Sequence, residues 1–115
     1  QWGAPTGAEL IADVTAHAVR EVKRQGQRGG TYHLAASGFT TWFSYAKHVL
    51  AQAGQAQAAI KIKATEVSPI ATSQYPTPAR RPHNSRLDCR RLQDAFGLTL
   101  PPWQHGVNRL LAEIL

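Results

Sequence analysis

Apolar residues recur at helical spacing in three stretches of the chain, and elsewhere they alternate with lysine. Leu10, Ile11, Val14, Ala18 and Val22 share one helical face, with Thr6 as N-cap, Glu9 at the capping-box position and Gly26 near the end. The run Thr31–Ser37 (TYHLAAS) is short, apolar and bounded by glycines, the pattern of a buried strand of the parallel-sheet type. Thr40 or Thr41 caps a second helix whose apolar face is Trp42, Tyr45, Ala46, Val49 and Leu50, with Gly54 closing it. From Ile60 the order Ile-Lys-Ile-Lys-Ala puts isoleucines on one face and lysines on the other, as in a half-exposed or edge strand. Asp88 is placed to cap a short helix ending at Phe96, with Gly97 in the left-handed position after it. Beyond Pro101 and Pro102, the stripe Val107, Leu110, Leu111 and Ile114 marks a last helix that must pack on something. The pattern predicts an α/β chain with three or four helices and two or three strands. So few strands imply a small, incomplete sheet, with the missing neighbours expected upstream of residue 1.

A chain of 115 residues with 43% hydrophobic content has the size of one folding unit. Its net charge of +6 favours polyanionic partners: nucleic acid, an anionic membrane surface or a phosphorylated metabolite. A small basic nucleic-acid binder is the weakest of these, because there is no helix of clustered Arg and Lys, no zinc-finger spacing and no basic-aromatic platform. No apolar run reaches 18 residues and no signal-peptide layout opens the chain, so no membrane partner is expected. Cys89 stands alone, which excludes an internal disulfide and a multi-thiolate metal site and fits a cytoplasmic location, with Cys89 itself an inert thiol. The five histidines are scattered, and His17 and His48 fall on helices as surface or satisfied core residues.

The densest chemistry lies in Tyr75–Arg91, where five arginines and three prolines share one segment. Pro76, Pro78 and Pro82 hold it extended, so Arg80 and Arg81 start partly ordered. A guanidinium fork matches phosphate oxygens two at a time, which suits this pair to a phosphate or pyrophosphate. The competing reading is a solvated loop whose arginines pair weakly with carboxylates.

Several segments together resemble the extended short-chain dehydrogenase/reductases, in particular the branch that reduces the 4-keto group of a dTDP-sugar and makes dTDP-L-rhamnose. Gln1-Trp2-Gly3-Ala4-Pro5-Thr6 is similar to that branch's D-Q-x-G-x-P-T without the leading Asp. Gly30-Thr31-Tyr32-His33-Leu34 and Thr41-Trp42-x-x-Tyr45-Ala46 resemble the strand and helix start that follow. Tyr75-Pro76-Thr77-Pro78-Ala79-Arg80-Arg81-Pro82-x-x-Ser85-x-Leu87-Asp88 resembles the run P-T-P-A-R-R-P-x-x-S-x-L-D, and Phe96-Gly97 with Pro102-Trp103-x-x-Gly106-Val107 completes the match.

The resemblance implies that residues 1–115 are the C-terminal, substrate-binding region of an NADPH- or NADH-dependent reductase, with the Rossmann domain upstream. It implies a dTDP-sugar whose pyrophosphate Arg80 or Arg81 clamps, with Tyr75 and Thr77 in the same groove, and a homodimer of the whole protein. Relatives that dimerise around Mg²⁺ held by glutamates make Glu9 and Glu113 the matching metal candidates, against a capping role for Glu9 and solvation of Glu113. No catalytic residue is expected in this chain: it has no G-x-G-x-x-G after a strand, and Tyr45-Ala46-Lys47 lacks the helical turn that a phenol donor and its lysine need between them. Trp42 is expected in the core and Trp103 as the anchor of the last helix. A nonenzymatic binding subunit on the same fold stands as the alternative.

Overall fold

A computed structural model describes residues 1–26, 28–56 and 60–115. The chain forms β1 (Trp2–Gly3), α1 (Ala8–Arg24), β2 (Thr40–Thr41), α2 (Trp42–Gln55), a 3-10 turn at Thr72–Gln74, α3 (Arg90–Phe96) and α4 (Trp103–Ile114). Among the described residues, four helices with a two-stranded sheet match the predicted small sheet and helix number.

The strands themselves lie elsewhere than expected. β1 and β2 pair antiparallel, Trp2 opposite Thr41 and Gly3 opposite Thr40. Thr31–Ser37 is not a strand of a sheet, and only Ser37 forms a bridge, to Pro102. There the Ser37 amide donates to Pro101 O (2.9 Å) and the Trp103 amide donates to Ser37 O (3.1 Å). The apolar side chains that suggested a buried strand are covered by helices, Tyr32 and Leu34 packing on a cluster of Val14, Leu92, Phe96 and Leu100. Ile60–Ala64 is likewise not a strand, and both Ile60 and Ile62 are exposed.

The helix caps follow the side chains available. Gly7, not Thr6, is the N-cap of α1, because the Thr6 hydroxyl is engaged elsewhere: it donates to Ala4 O (3.0 Å) and accepts from the Ala36 amide (3.0 Å). Without that cap Glu9 makes no capping box and instead meets Arg109. Thr41 caps α2 as expected, its hydroxyl accepting from the Ser44 amide at 3.2 Å, and the helix runs one residue past Gly54. Cys89 holds the N-cap position of α3, yet Asp88 still accepts from the Arg90 amide (3.0 Å), so its carboxylate serves one residue further back than expected. Gly97 ends α3 at φ 61° and ψ 42°, the left-handed conformation that glycine adopts without steric cost.

Two apolar clusters hold these elements. The first joins α1 to α3, and the second sets Ala36, Trp103 and Val107 against Ala4, Tyr45, Val49 and Leu111; Leu10 packs against both. The last-helix stripe is divided, with Val107 and Leu111 facing inward and Leu110 and Ile114 exposed. The radius of gyration is 17.3 Å, against roughly 13 Å for a free-standing domain of this length. The excess agrees with the long exposed segment between α2 and α3.

Candidate functional site

β1 is held from both sides. It ladders with β2 on one, and on the other a strap, His83–Arg86, is fastened to Trp2: the Trp2 amide donates to His83 O (2.7 Å), while the Ser85 amide and hydroxyl both donate to Trp2 O (2.8 and 3.0 Å). Glycine at position 3 permits this approach, since a Cβ there would stand 3.0 Å from Ser85 Oγ. Between β1, β2, the first turn of α2 and the strap lies a groove of about 550 Å³.

Its lining combines a cation, aromatic rings and hydroxyls. Arg81 enters from the strap side and Trp2, Trp42 and Tyr45 supply rings, while Thr6, Thr40, Thr41 and Ser85 supply hydroxyls. Among the described residues no carboxylate pairs with Arg81, whereas Arg24, Arg28, Arg90 and Arg109 all have acidic partners. A planar cation beside exposed rings can take a phosphate and an attached flat ring together.

Of the residues expected from sequence to bind substrate, Arg81 alone lines the groove. Arg80, Tyr75 and Thr77 sit on the exposed segment leading to it; Tyr75 is 70% exposed, and the Thr77 hydroxyl donates to Ala79 O at 3.0 Å. Trp42 corrects the sequence reading. It is 68% exposed, with its indole N–H donating to Gln1 Oε1 (2.9 Å), because at the first position of α2 it overhangs the contact with α4. The aromatic series Trp42, Tyr45, Trp103 continues inward edge-to-face, at 5.9 and 6.1 Å between ring centres, and ends on Trp103, which is 6% exposed and anchors α4 as expected. Trp2, Trp42 and Tyr45 were not legible as site residues, and the one available signal was a tryptophan directly after a capping threonine.

The remaining candidates are structural in their contacts. Tyr45 and Lys47 do not pair: the Lys47 ammonium lies 5.3 Å from the Phe43 ring centre. Glu9 and Glu113 come together only through Arg109, whose Nε is 3.0 and 3.3 Å from their carboxylates. Among the described residues no three His, Cys, Asp or Glu form a metal-binding group. His17 Nε2 donates to Phe96 O (3.0 Å) and His48 Nε2 bonds Asn108 Oδ1 (2.6 Å), so both are satisfied. The Cys89 thiol faces Ala35 O and Leu87 O at 3.9 Å. Hydrogen bonds from the Arg90 side chain and backbone hold the Asp88 carboxyl at about 2, well below the usual carboxylate range. Among the described residues no helix is long and apolar enough to cross a membrane.

The sequence and fold both have relatives. A dTDP-4-dehydrorhamnose reductase of Escherichia coli K12 is 51% identical over 114 residues, covering 99% of this chain and 38% of that protein. One from Burkholderia thailandensis is 39% identical over 119 residues, covering all of this chain and 40% of that protein. The crystal structure of dTDP-4-dehydrorhamnose reductase from Bacillus anthracis in complex with NADP superposes with a TM-score of 0.72 at 27% identity, over 98% of this chain and 36% of that one. This chain thus spans well under half the length of the relatives it matches. The family model described as RmlD substrate binding domain matches residues 1–115, and the chain belongs to that family.

Proposed function

We propose that residues 1–115 form the C-terminal substrate-holding region of an NAD(P)H-dependent reductase that converts dTDP-4-dehydrorhamnose to dTDP-L-rhamnose. The observation that carries this reading is the family match over the whole chain, with reductases of that name reaching 51% identity. The groove supports it. In this reading Arg81 binds the pyrophosphate by charge-assisted hydrogen bonds, the exposed Trp42 indole offers a face to the thymine, and the Thr41 hydroxyl, which only accepts in its capping bond, donates to the sugar. Arg80, Tyr75 and Thr77, on the exposed segment just ahead of Arg81, are the further contacts the reading assigns to the nucleotide-sugar. Holding both ends of the nucleotide-sugar fixes its keto group relative to a hydride donor, which lowers the entropic part of the barrier.

When bound, NADPH or NADH supplies the hydride. In this reading the chain contributes binding and orientation: its sequence has no G-x-G-x-x-G after a strand, and among the described residues the Lys47 ammonium lies against the Phe43 ring. The same reading includes the Rossmann domain ahead of residue 1, a homodimer of the whole protein and a cytoplasmic location. For Mg²⁺ the residues present do not fit by themselves: two carboxylates with a guanidinium between them fall short of the oxygen shell that ion takes.

Two measurements test the reading. Calorimetric titration of the chain with dTDP should show binding that Arg81→Ala weakens by about 1–3 kcal/mol, with a smaller loss for Arg80→Ala. A chimera carrying this chain in place of the matching 38% of the E. coli K12 protein should oxidise NADPH in the presence of dTDP-4-dehydrorhamnose. A folded chimera without turnover, together with no heat from dTDP, rejects the assignment.

A further inference from the structure

We propose that Arg86 is a positioning residue for the groove: it clips the strap onto β1 and thereby sets where Arg81 stands. This rests on the nucleotide-sugar reading of the groove and adds to it a residue outside the lining. The Arg86 guanidinium lies over the Phe39 ring at 4.8 Å and near the Trp2 ring at 5.9 Å, and those two rings meet edge-to-face at 5.5 Å. Asn84 holds it in that pose, its Oδ1 accepting from the Arg86 amide (3.0 Å) and from Arg86 Nε (2.9 Å). Trp2 is thus gripped twice, through its backbone by His83 and Ser85 and through its ring by Arg86.

The position of Arg81 depends on this grip because Pro82 joins it stiffly to the strap. With φ fixed at proline and the preceding residue confined to extended backbone, a shift of His83 is passed on to Arg81 rather than absorbed. Trp2 belongs to β1 and Phe39 immediately precedes β2, so one guanidinium ties the strap, β1 and the turn before β2 together. Arg86 has no carboxylate partner among the described residues, and its side chain is committed to this contact.

The test combines ligand binding with a readout that needs no ligand. Arg86→Ala should weaken dTDP binding roughly two- to fivefold, the size of one exposed cation–ring contact. If Arg86 acts through Arg81, the double variant Arg81→Ala/Arg86→Ala binds no more weakly than Arg81→Ala alone. Additive losses overturn the proposal. Independently, amide exchange at Trp2 and Ser85 should rise about two- to fivefold in Arg86→Ala, and to a lesser degree in Asn84→Ala, while amides of α1 and α4 keep their protection. Unchanged exchange at Trp2 and Ser85 refutes the clip. If the parent chain does not bind dTDP at all, the nucleotide reading falls and the exchange result still decides the clip.

Discussion

Two tryptophans, Trp42 and Trp103, should give opposite results when each is changed to alanine. Trp103 keeps 6% of its surface and contacts the second core, with His48 and Tyr45 edge-to-face at 5.0 and 6.1 Å. Removing a side chain that buries about 200 Å² at about 25 cal/mol per Å² costs about 5 kcal/mol. A compact unfolded chain already hides part of that area, which brings the expected loss to about 3–5 kcal/mol, the usual range for core Trp→Ala. That is comparable to the whole stability of a small domain, so Trp103→Ala should be largely unfolded at room temperature. Trp42 keeps 68% of its surface, and its removal should cost about 2 kcal/mol from lost area and one exposed hydrogen bond. Its effect should fall on binding, where loss of a stacking face weakens dTDP by about 1–3 kcal/mol. Urea titration followed by circular dichroism measures the first quantity and calorimetry the second. Equal destabilisation by the two variants, or unchanged dTDP affinity in a folded Trp42→Ala chain, would refute the division of labour.

Gly97→Ala should cost about 1–2 kcal/mol, because position 97 has φ 61° and the added methyl meets nothing, leaving backbone strain as the sole effect; a urea midpoint unchanged from the parent would contradict that conformation. The Asp88 carboxyl, held at about 2 in the folded chain by Arg90, lies below its unfolded value of about 3.9. Its stabilising contribution is therefore complete above pH 4 and lost as pH falls through about 2. An NMR titration of the carboxyl carbon should show that low midpoint, returning to about 4 in Arg90→Ala. The chain on its own should neither bind nor consume NADPH, and cofactor oxidation above a protein-free blank would show a cradle or donor that these residues do not reveal.

Helices were legible because their signal is repeated over several turns and punctuated by caps; Thr41 and Gly97 stand where the sequence places them. Strands were not, since the real ladder is two residues long and pairs Trp2–Gly3 with Thr40–Thr41, too short for any alternation to show. The apolar run Thr31–Ser37 misled because burial under α1 and α3 selects the same residues as burial in a sheet. In the groove, the Pro-Arg segment announced Arg81 by composition. Trp42 was not legible because its helical spacing matches the core stripe, whereas the packing of α2 on the second cluster involves Tyr45 and Val49.

Leu10 packs against both apolar clusters, and this bears on how the groove responds to events at the far end of the molecule. α1 and α3 meet around one cluster, while Trp103 and the inner end of the aromatic series belong to the other. Among the described residues Leu10 is the side chain common to both clusters, which the chain itself also joins where Leu34 leads to Ala36 and Leu100 to Trp103. Packing lost around Phe96 therefore has a route to the floor beneath Tyr45 through Leu10 as well as along these short backbone links, so the rigidity of the groove should depend on a cluster whose buried residues do not line it.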